Sequence, residues 1–206
     1  METNNTSPTS PHLPQIADHC WEMMAAGVSN RNSIMHQAVV ATIKGNIPVM
    51  RTVILRKVDI ENKKIYFHTD FRSLKVADIQ QNNHLSWLFY DQTQRTQIRL
   101  SGPTIIHHLD DCCALHWEKT THHSRRSYMV PTAPSTLLNS EDSGMNDSLT
   151  GFHYTLEESE VGYNNFAVVE TSVDWLEWYF THHTGNKRAF FEYKNTVLSH
   201  ASWVMA

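Results

Sequence analysis

Cysteine is scarce in this chain: three residues in 206, Cys20, Cys112 and Cys113. An odd count with two members adjacent makes no disulfide framework, and the absence of any Cys-x-x-Cys spacing removes the usual signature of structural zinc. The three read as reduced structural thiols. Glycine and proline are sparse at seven each, which excludes collagen-like and low-complexity chains. No apolar run reaches the roughly 18 residues that a bilayer span needs. The polar, proline-bearing start METNNTSPTSPH lacks the charged beginning and apolar centre of a signal peptide. Positive charge is not in excess: 17 Lys and Arg face 21 Asp and Glu, a formal net charge of −4, so any basic site must be local. Neither nucleic acid nor membrane is an expected partner. The expectation is a disordered tail over residues 1–10, one domain over 11–206, and a cytoplasmic location.

What is present is an ordinary globular composition, 40% apolar, in a chain long enough for one sizeable core. Leu13, Ile16, Cys20, Met23, Met24 and Val28 recur at helical spacing and predict an amphipathic helix. HQAVVATI predicts a strand, KGNIP a turn, and MRTVILRKVD and IYFHT a second and third strand joined at ENKK, together an antiparallel meander. Asp70 is a favourable N-cap for a helix over 71–82 ending at QNN. HLSWLFYD and TQIRLSGPTIIHH predict two more strands, and LDDCCALHWEK a short helix. Residues 131–164 read as loop-rich, with NSEDSGMNDSLTG as the mobile part. NNFAVVETSVDWLEWYFT, NKRAFFEYK and LSHASWVM predict three closing strands. Short strands interrupted by helices indicate a mainly β fold, an antiparallel β-barrel with helical additions.

Arg51 opens a strand, Thr69 closes its hairpin partner, and Ser73 and Lys75 stand near the start of the next helix. The start of one antiparallel strand lies beside the end of the next, so these four groups can converge. A helix N-terminus, two cations and two hydroxyls suit a phosphate monoester, and Arg72 is a further guanidinium within reach.

RTVILRKVD, FHTDFRSLKVADIQQNN, LSWLFYD and TQIRLSG, in this order and at these intervals, resemble the FMN-binding split-barrel proteins of the pyridoxamine 5′-phosphate oxidase-like group. The branch related to the cyanobacterial-type FMN-binding domain is the nearer one. Residues 36–128 carry the resemblance, and the last thirty or so follow loosely. It implies an FMN-binding split β-barrel, FMN as cofactor, and a homodimer with FMN at the interface acting on a small-molecule substrate. Arg51 and Lys75 would then bind the FMN phosphate, with Thr69, Ser73 and Arg72 donating hydrogen bonds. Thr52, Val53 and Ile54 would run along the flavin ring. Gln97 matches a glutamine contributed by the partner subunit, Arg188 a C-terminal arginine near the ring, and Trp178 or Tyr179 an aromatic residue before it.

Departures from the group limit what the resemblance implies about chemistry. True oxidases end in an Arg-x-His-x-Arg motif that orients the substrate; Thr184, Asn186 and Arg188 stand there in this chain. Of the four residues that grip the substrate phosphate, Arg56 takes the place of a lysine and Ser124 that of the serine. The tyrosine and arginine have no clear counterpart, although Arg125, Arg126 and Tyr128 lie nearby. The expected function is that of a flavin-dependent oxidoreductase with an unknown substrate and no assignable acid or base; the alternative is a non-catalytic flavin-binding or haem-handling protein. Fourteen histidines, with adjacent pairs at 107–108, 122–123 and 182–183, sustain the haem or metal alternative. Neighbouring residues on a strand point to opposite faces, so such pairs favour no single metal and none is expected.

Overall fold

A computed structural model describes residues 12–206, so the expected N-terminal tail lies outside the described residues. Helix α1 (Leu13–Ser29) buries Ile16, Cys20, Trp21 and Met24 along one face, and its Trp21 indole donates to the Tyr193 hydroxyl at 2.9 Å. Strands β1 (Gln37–Lys44), β2 (Ile47–Asp59) and β3 (Lys64–Asp70) form the expected meander. Its first turn is tighter than KGNIP suggested, because Lys44 already pairs with Ile47 and Gly45 takes a positive φ of 61°. Helix α2 (Leu74–Gln81), β4 (His84–Asp91), β5 (Thr96–His107) and α3 (Asp111–Glu118) follow, then α4 (His122–Met129) and a single turn α5 (Asp147–Thr150). A 3-10 stretch over Glu158–Asn165 leads into β6 (Phe166–Ser172), β7 (Trp175–Phe180), β8 (Lys187–Lys194) and β9 (Val197–Val204).

All strand pairings are antiparallel, and β1-β2-β3-β6-β5-β4 close on themselves through β4 and β1 into a six-stranded barrel. Strand β5 makes the closure and the extension together. On one edge it pairs with β4; on the other, Thr96–Ser101 pair with β7 and Thr104–His107 pair with β6. The changeover falls at Gly102, where a Cβ would stand 1.8 Å from the Ser172 carbonyl oxygen. Only glycine admits that approach. Strands β7, β8 and β9 then extend the sheet beyond the barrel.

Period-two alternation aims Leu85, Trp87 and Phe89 of β4, Ile98 and Leu100 of β5, and Leu55 and Phe67 of the meander into one core. A smaller cluster of Tyr66, Cys113, Trp117, Phe166 and Val168 lies on the other face of β3 and β6, with α3 contributing two of its members.

Two expectations need correction, and one unassigned segment is a helix. NNFAVVETSVDWLEWYFT is two strands: at the break, Val173 N–H donates to Lys63 O at 2.8 Å and Asp174 N–H to Ser101 O at 3.0 Å, where the chain leaves β3, its neighbour as β6, and continues as β7 along Thr96–Ser101 of β5. Asp70 does not cap α2; it is the last residue of β3, paired with Phe166, and its carboxylate accepts from the Arg72 amide at 2.8 Å. Ser73 is the N-cap position, so α2 starts later than expected. HHSRRSYM, without an assignment from sequence, is helix α4, capped by the Thr121 side chain.

Candidate functional site

The barrel wall is incomplete between β2 and β3. Their ladder runs from Asp59 and Lys64 up to Leu55 and Phe67, while β1 pairs with β2 all the way down to Ile47. Beyond Leu55 the two strands part: β3 continues on β6, with Thr69 opposite Ala167, and β2 carries Arg51 to Ile54 with no β3 partner. Helix α2 begins at the end of that split.

Four of the expected phosphate ligands meet there. Lys75 Nζ donates to the hydroxyls of Thr69 at 3.0 Å and Ser73 at 3.2 Å, and those hydroxyls are 3.2 Å apart. The Ser73 side chain makes no cap bond to α2, so it faces the cluster. Arg51 is held from the other side: its Nη1 donates to Thr42 Oγ1 at 2.6 Å, Thr42 donates to Asp78 at 2.8 Å, and Arg51 Nη2 lies 3.6 Å from Asp78. Burial lowers the pKa of the Lys75 ammonium, and the neighbouring Arg51 charge lowers it further, against the pull of Asp70. Burial likewise lowers that of Arg51, with Asp78 opposing. Two cations that repel across a pair of buried hydroxyls at a helix start form a donor set matched to a phosphomonoester.

Arg72 does not join them. Its Nε and Nη2 donate to the Asp70 carboxylate at 3.0 and 2.7 Å, and its Nη1 and Nη2 to the carbonyls of Pro131 and Val130 at 2.8 and 2.9 Å. It anchors the 130–131 segment to the end of β3. This use follows from Asp70 standing two residues before it, which favours a local carboxylate pair over a shared anion.

A cleft of about 780 Å³ opens beside the split, on the face of β2 and β3 that carries Arg56 and Tyr66, and α3 and the start of α4 form its other wall. Arg56 and Ser124, the expected substrate residues, both line it. The β2–β3 register slips between Leu55 and Lys57, so Arg56 occupies a bulge, a device that re-aims a side chain. Its Nε is buried without a hydrogen-bond partner. A smaller pocket of about 360 Å³ is lined by Arg56, Ser124 and Ile54, which connects the β2 edge to the cleft.

Arg125, Arg126 and Tyr128 are not among the cleft-lining residues. The Arg125 guanidinium is buried, donating to Thr120 O and Trp117 O at 3.2 and 3.0 Å and pairing with Glu160. Arg126 lies over Phe152, and Tyr128 packs edge-on against Phe166 and Trp117. The residue that sequence reasoning missed is His116, which lines the cleft and contacts His68, Nδ1 to Nε2, at 2.8 Å. Two of the adjacent histidine pairs do separate things: His107 bonds Asp110 while His108 stacks on Phe71, and His122 bonds Tyr154 O while His123 stacks on Phe152; His182 and His183 lie against each other, ring centroids 4.2 Å apart.

Gln97, Tyr179 and Arg188 are cross-strand partners in one row over β5, β7 and β8. All three are half-buried, and Tyr90 and Val204 extend the row. Trp178 points to the opposite face, where it meets Phe180 and Trp203, so Tyr179 is the aromatic residue in register with Arg188. Glu177 pairs with both Arg99 and Arg188, yet the Arg188 Nε is buried without a partner.

Fold and site together define an antiparallel split barrel with two cations and two hydroxyls gathered in the split and a basic cleft beside it. Residues 18–108 match the model of the family described as pyridoxamine 5′-phosphate oxidase, FMN-binding domain. It is 30% identical over 131 residues to the pyridoxine/pyridoxamine 5′-phosphate oxidase of Psychrobacter cryohalolentis, covering 63% of this chain and 55% of that one. To the protein of the same description in Psychrobacter arcticus it is 31% identical over 129 residues, 62% and 54% of the two chains. The match thus spans about half the length of these curated relatives. Among solved structures, a pyridoxamine 5′-phosphate oxidase-related, FMN-binding protein of Nostoc punctiforme superposes with a TM-score of 0.71 at 17% identity, covering 97% of this chain and 100% of that one. PhzG of Burkholderia lata, solved in complex with tetrahydrophenazine-1-carboxylic acid, gives 0.70 at 14% identity over 96% and 95%. The fold is therefore shared along nearly the whole chain, and the matching family model describes an FMN-binding domain.

Proposed function

We propose that this protein holds FMN in the split between β2 and β3 and acts as a homodimeric, cytoplasmic oxidoreductase on a small anionic molecule admitted to the adjoining cleft. The observation that carries this reading is the meeting of Arg51, Thr69, Ser73 and Lys75 where β3 leaves β2. Arg51 and Lys75 neutralise the phosphate, the two hydroxyls donate to it, and Asp78 fixes the Arg51 guanidinium through Thr42. The unpaired edge of Thr52 to Ile54 offers backbone donors and acceptors to the polar rim of the ring. Bound FMN supplies the two-electron redox chemistry; the protein binds, orients and shields it. Arg56 and Ser124 hold the anionic group of the substrate, where the unpartnered Arg56 Nε marks an unused donor. Of the four residues that grip the substrate phosphate in true oxidases, the tyrosine and the arginine have no counterpart on the cleft wall beside Arg56 and Ser124, which favours a substrate other than pyridoxamine phosphate.

The dimer reading is supported by the Gln97, Tyr179 and Arg188 row. Its strands are not neighbours of β2 in the sheet, so a second copy is the natural source of these groups at the flavin. Tyr90, Val204 and Met205 are exposed apolar residues at or near the row's ends, as an interface would use. Free cysteines suit a reducing compartment, and among the described residues no helix is long and apolar enough to cross a membrane.

Titration with FMN, followed by absorbance, tests the cradle. Arg51→Ala or Lys75→Ala should each weaken binding by about 1.5–3 kcal/mol, on the order of tenfold to a hundredfold. Unchanged affinity in both variants refutes the assignment. FMN uptake without turnover of anionic amines or cyclic substrates under oxygen would leave a flavin-binding protein that is not an enzyme.

A further inference from the structure

The cleft that holds Arg56 and Ser124 has an unusual charge balance for a chain of net charge −4. Arg31, Arg56, Lys57 and Lys119 line it, and among the described residues no aspartate or glutamate does. Within this cationic wall sit two imidazoles in direct contact, His68 from β3 and His116 from α3, their rings 5.1 Å apart and nearly perpendicular. His68 packs edge-on against Phe166 at 4.7 Å and His116 lies against Tyr66 at 5.6 Å, so each ring has an apolar neighbour as well as a polar one.

We propose that the His68–His116 pair takes up one proton from solvent when a divalent oxyanion, a phosphomonoester or its like, binds between Arg56 and Ser124. This deepens the reading of the cleft as the substrate site and rests on it. The hydrogen shared between Nε2 of His68 and Nδ1 of His116 leaves each ring one outer nitrogen. In the neutral pair one outer nitrogen is bare, and the added proton takes it. No bond to the anion forms and nothing is oxidised.

The surroundings set the direction. Without an anion, burial and then the charges of Lys57, Lys119 and His107 bring His116 down to about 4, with Glu170 opposing. Burial, His116 and Arg56 bring His68 down to about 2. Glu170 does not serve the pair as a counter-ion, because Lys64 holds it at 2.7 Å and His107 lies at 3.6 Å. From the remaining sides come Cys112 of α3, His36 and Arg31 of the segment after α1, and Tyr66, all on the cleft wall. None is an anion at neutral pH, so the incoming ligand is the negative charge that reverses the field at the rings.

The test uses FMN-loaded protein, so that the cradle is filled, and sulfate, which does not itself titrate near neutral pH. Calorimetric titration in two buffers of different ionisation heat, near pH 6, gives the number of protons taken up. The expected result is uptake approaching one proton per sulfate, with affinity falling by up to about tenfold per pH unit above the liganded pKa. His116→Phe should bind sulfate without uptake and with a flat pH profile, and His68→Gln, which keeps a hydrogen-bonding group, should show reduced uptake. Arg56→Ala should abolish binding. Sulfate bound by the wild type with no uptake, or with uptake retained in His116→Phe, overturns the proton-accepting pair while the anion cleft stands. No sulfate binding by the wild type, or binding that survives Arg56→Ala, overturns the cleft reading and the proposal with it.

Discussion

Lowering the pH in a buffer free of multivalent anions should destabilise the protein through the two imidazoles of the cleft. In the unfolded chain both protonate near 6.5; in the fold His68 is held down to about 2 and His116 to about 4. Between those limits the unfolded state binds more protons than the native state, so stability rises with pH and is lost as pH falls below about 6.5. Each pH unit is worth about 1.4 kcal/mol for a fully buried group. Going from about pH 8 to about pH 5 should therefore cost about 2 kcal/mol at His68. His116 is half-exposed, and solvent screening reduces its share to about 1 kcal/mol. The total of about 3 kcal/mol is a large part of a typical domain's 5–15 kcal/mol. Urea denaturation at the two pH values, compared between wild type and the His68→Phe, His116→Phe double variant, measures it. The double variant should lose about 3 kcal/mol less than wild type across this interval. An equal loss in both proteins would show that the imidazoles are not held neutral by the fold.

Gly102→Ala should destabilise by about 3 kcal/mol or more, the upper end of overpacking costs, because the new methyl meets the Ser172 carbonyl at 1.8 Å where β5 changes partner. Chemical denaturation checks this, and a change within 0.5 kcal/mol would mean the branch point is not rigid. Mixing Arg51→Ala with Arg188→Ala protomers should rebuild one intact flavin site in each mixed dimer, since one chain then supplies the cradle and the other the arginine. Flavin binding that stays at the level of the two parents after subunit exchange refutes a shared site.

The strands were legible because β-branched runs such as RTVILRKV carry the pattern within a few residues. The convergence of Arg51, Thr69, Ser73 and Lys75 was legible for a related reason: they lie on one hairpin and the helix that follows it, so local geometry nearly suffices to bring them together. Arg72 shows the limit, since the same short stretch offers it Asp70, and a carboxylate two residues away wins over a shared anion. The His68–His116 contact spans 48 residues and depends on how α3 lies across β3, which no periodicity announces. Helix α4 escaped because HHSRRSYM has no apolar stripe; the residue it buries is Arg125. The break between β6 and β7 has neither glycine nor proline to mark it. It arises from the exchange of neighbours around Ser101 and Lys63, a tertiary event.

The parting of β2 from β3 also bears on what the protein is before it meets its cofactor. Over Ile47 to Ile54 the strand is bonded to β1 on one side alone, so the amides pointing the other way are guarded by no cross-strand carbonyl from β3. Pro48 removes one of them, a common defence of a bare strand edge. Those that remain should exchange their hydrogens through small local openings, far faster than the amides of Leu55 to Asp59, and slow sharply once FMN occupies the split. Without a ligand this edge is open to stray strand pairing, and FMN held in the split as proposed would stand in the place of the missing neighbour and guard the barrel against it.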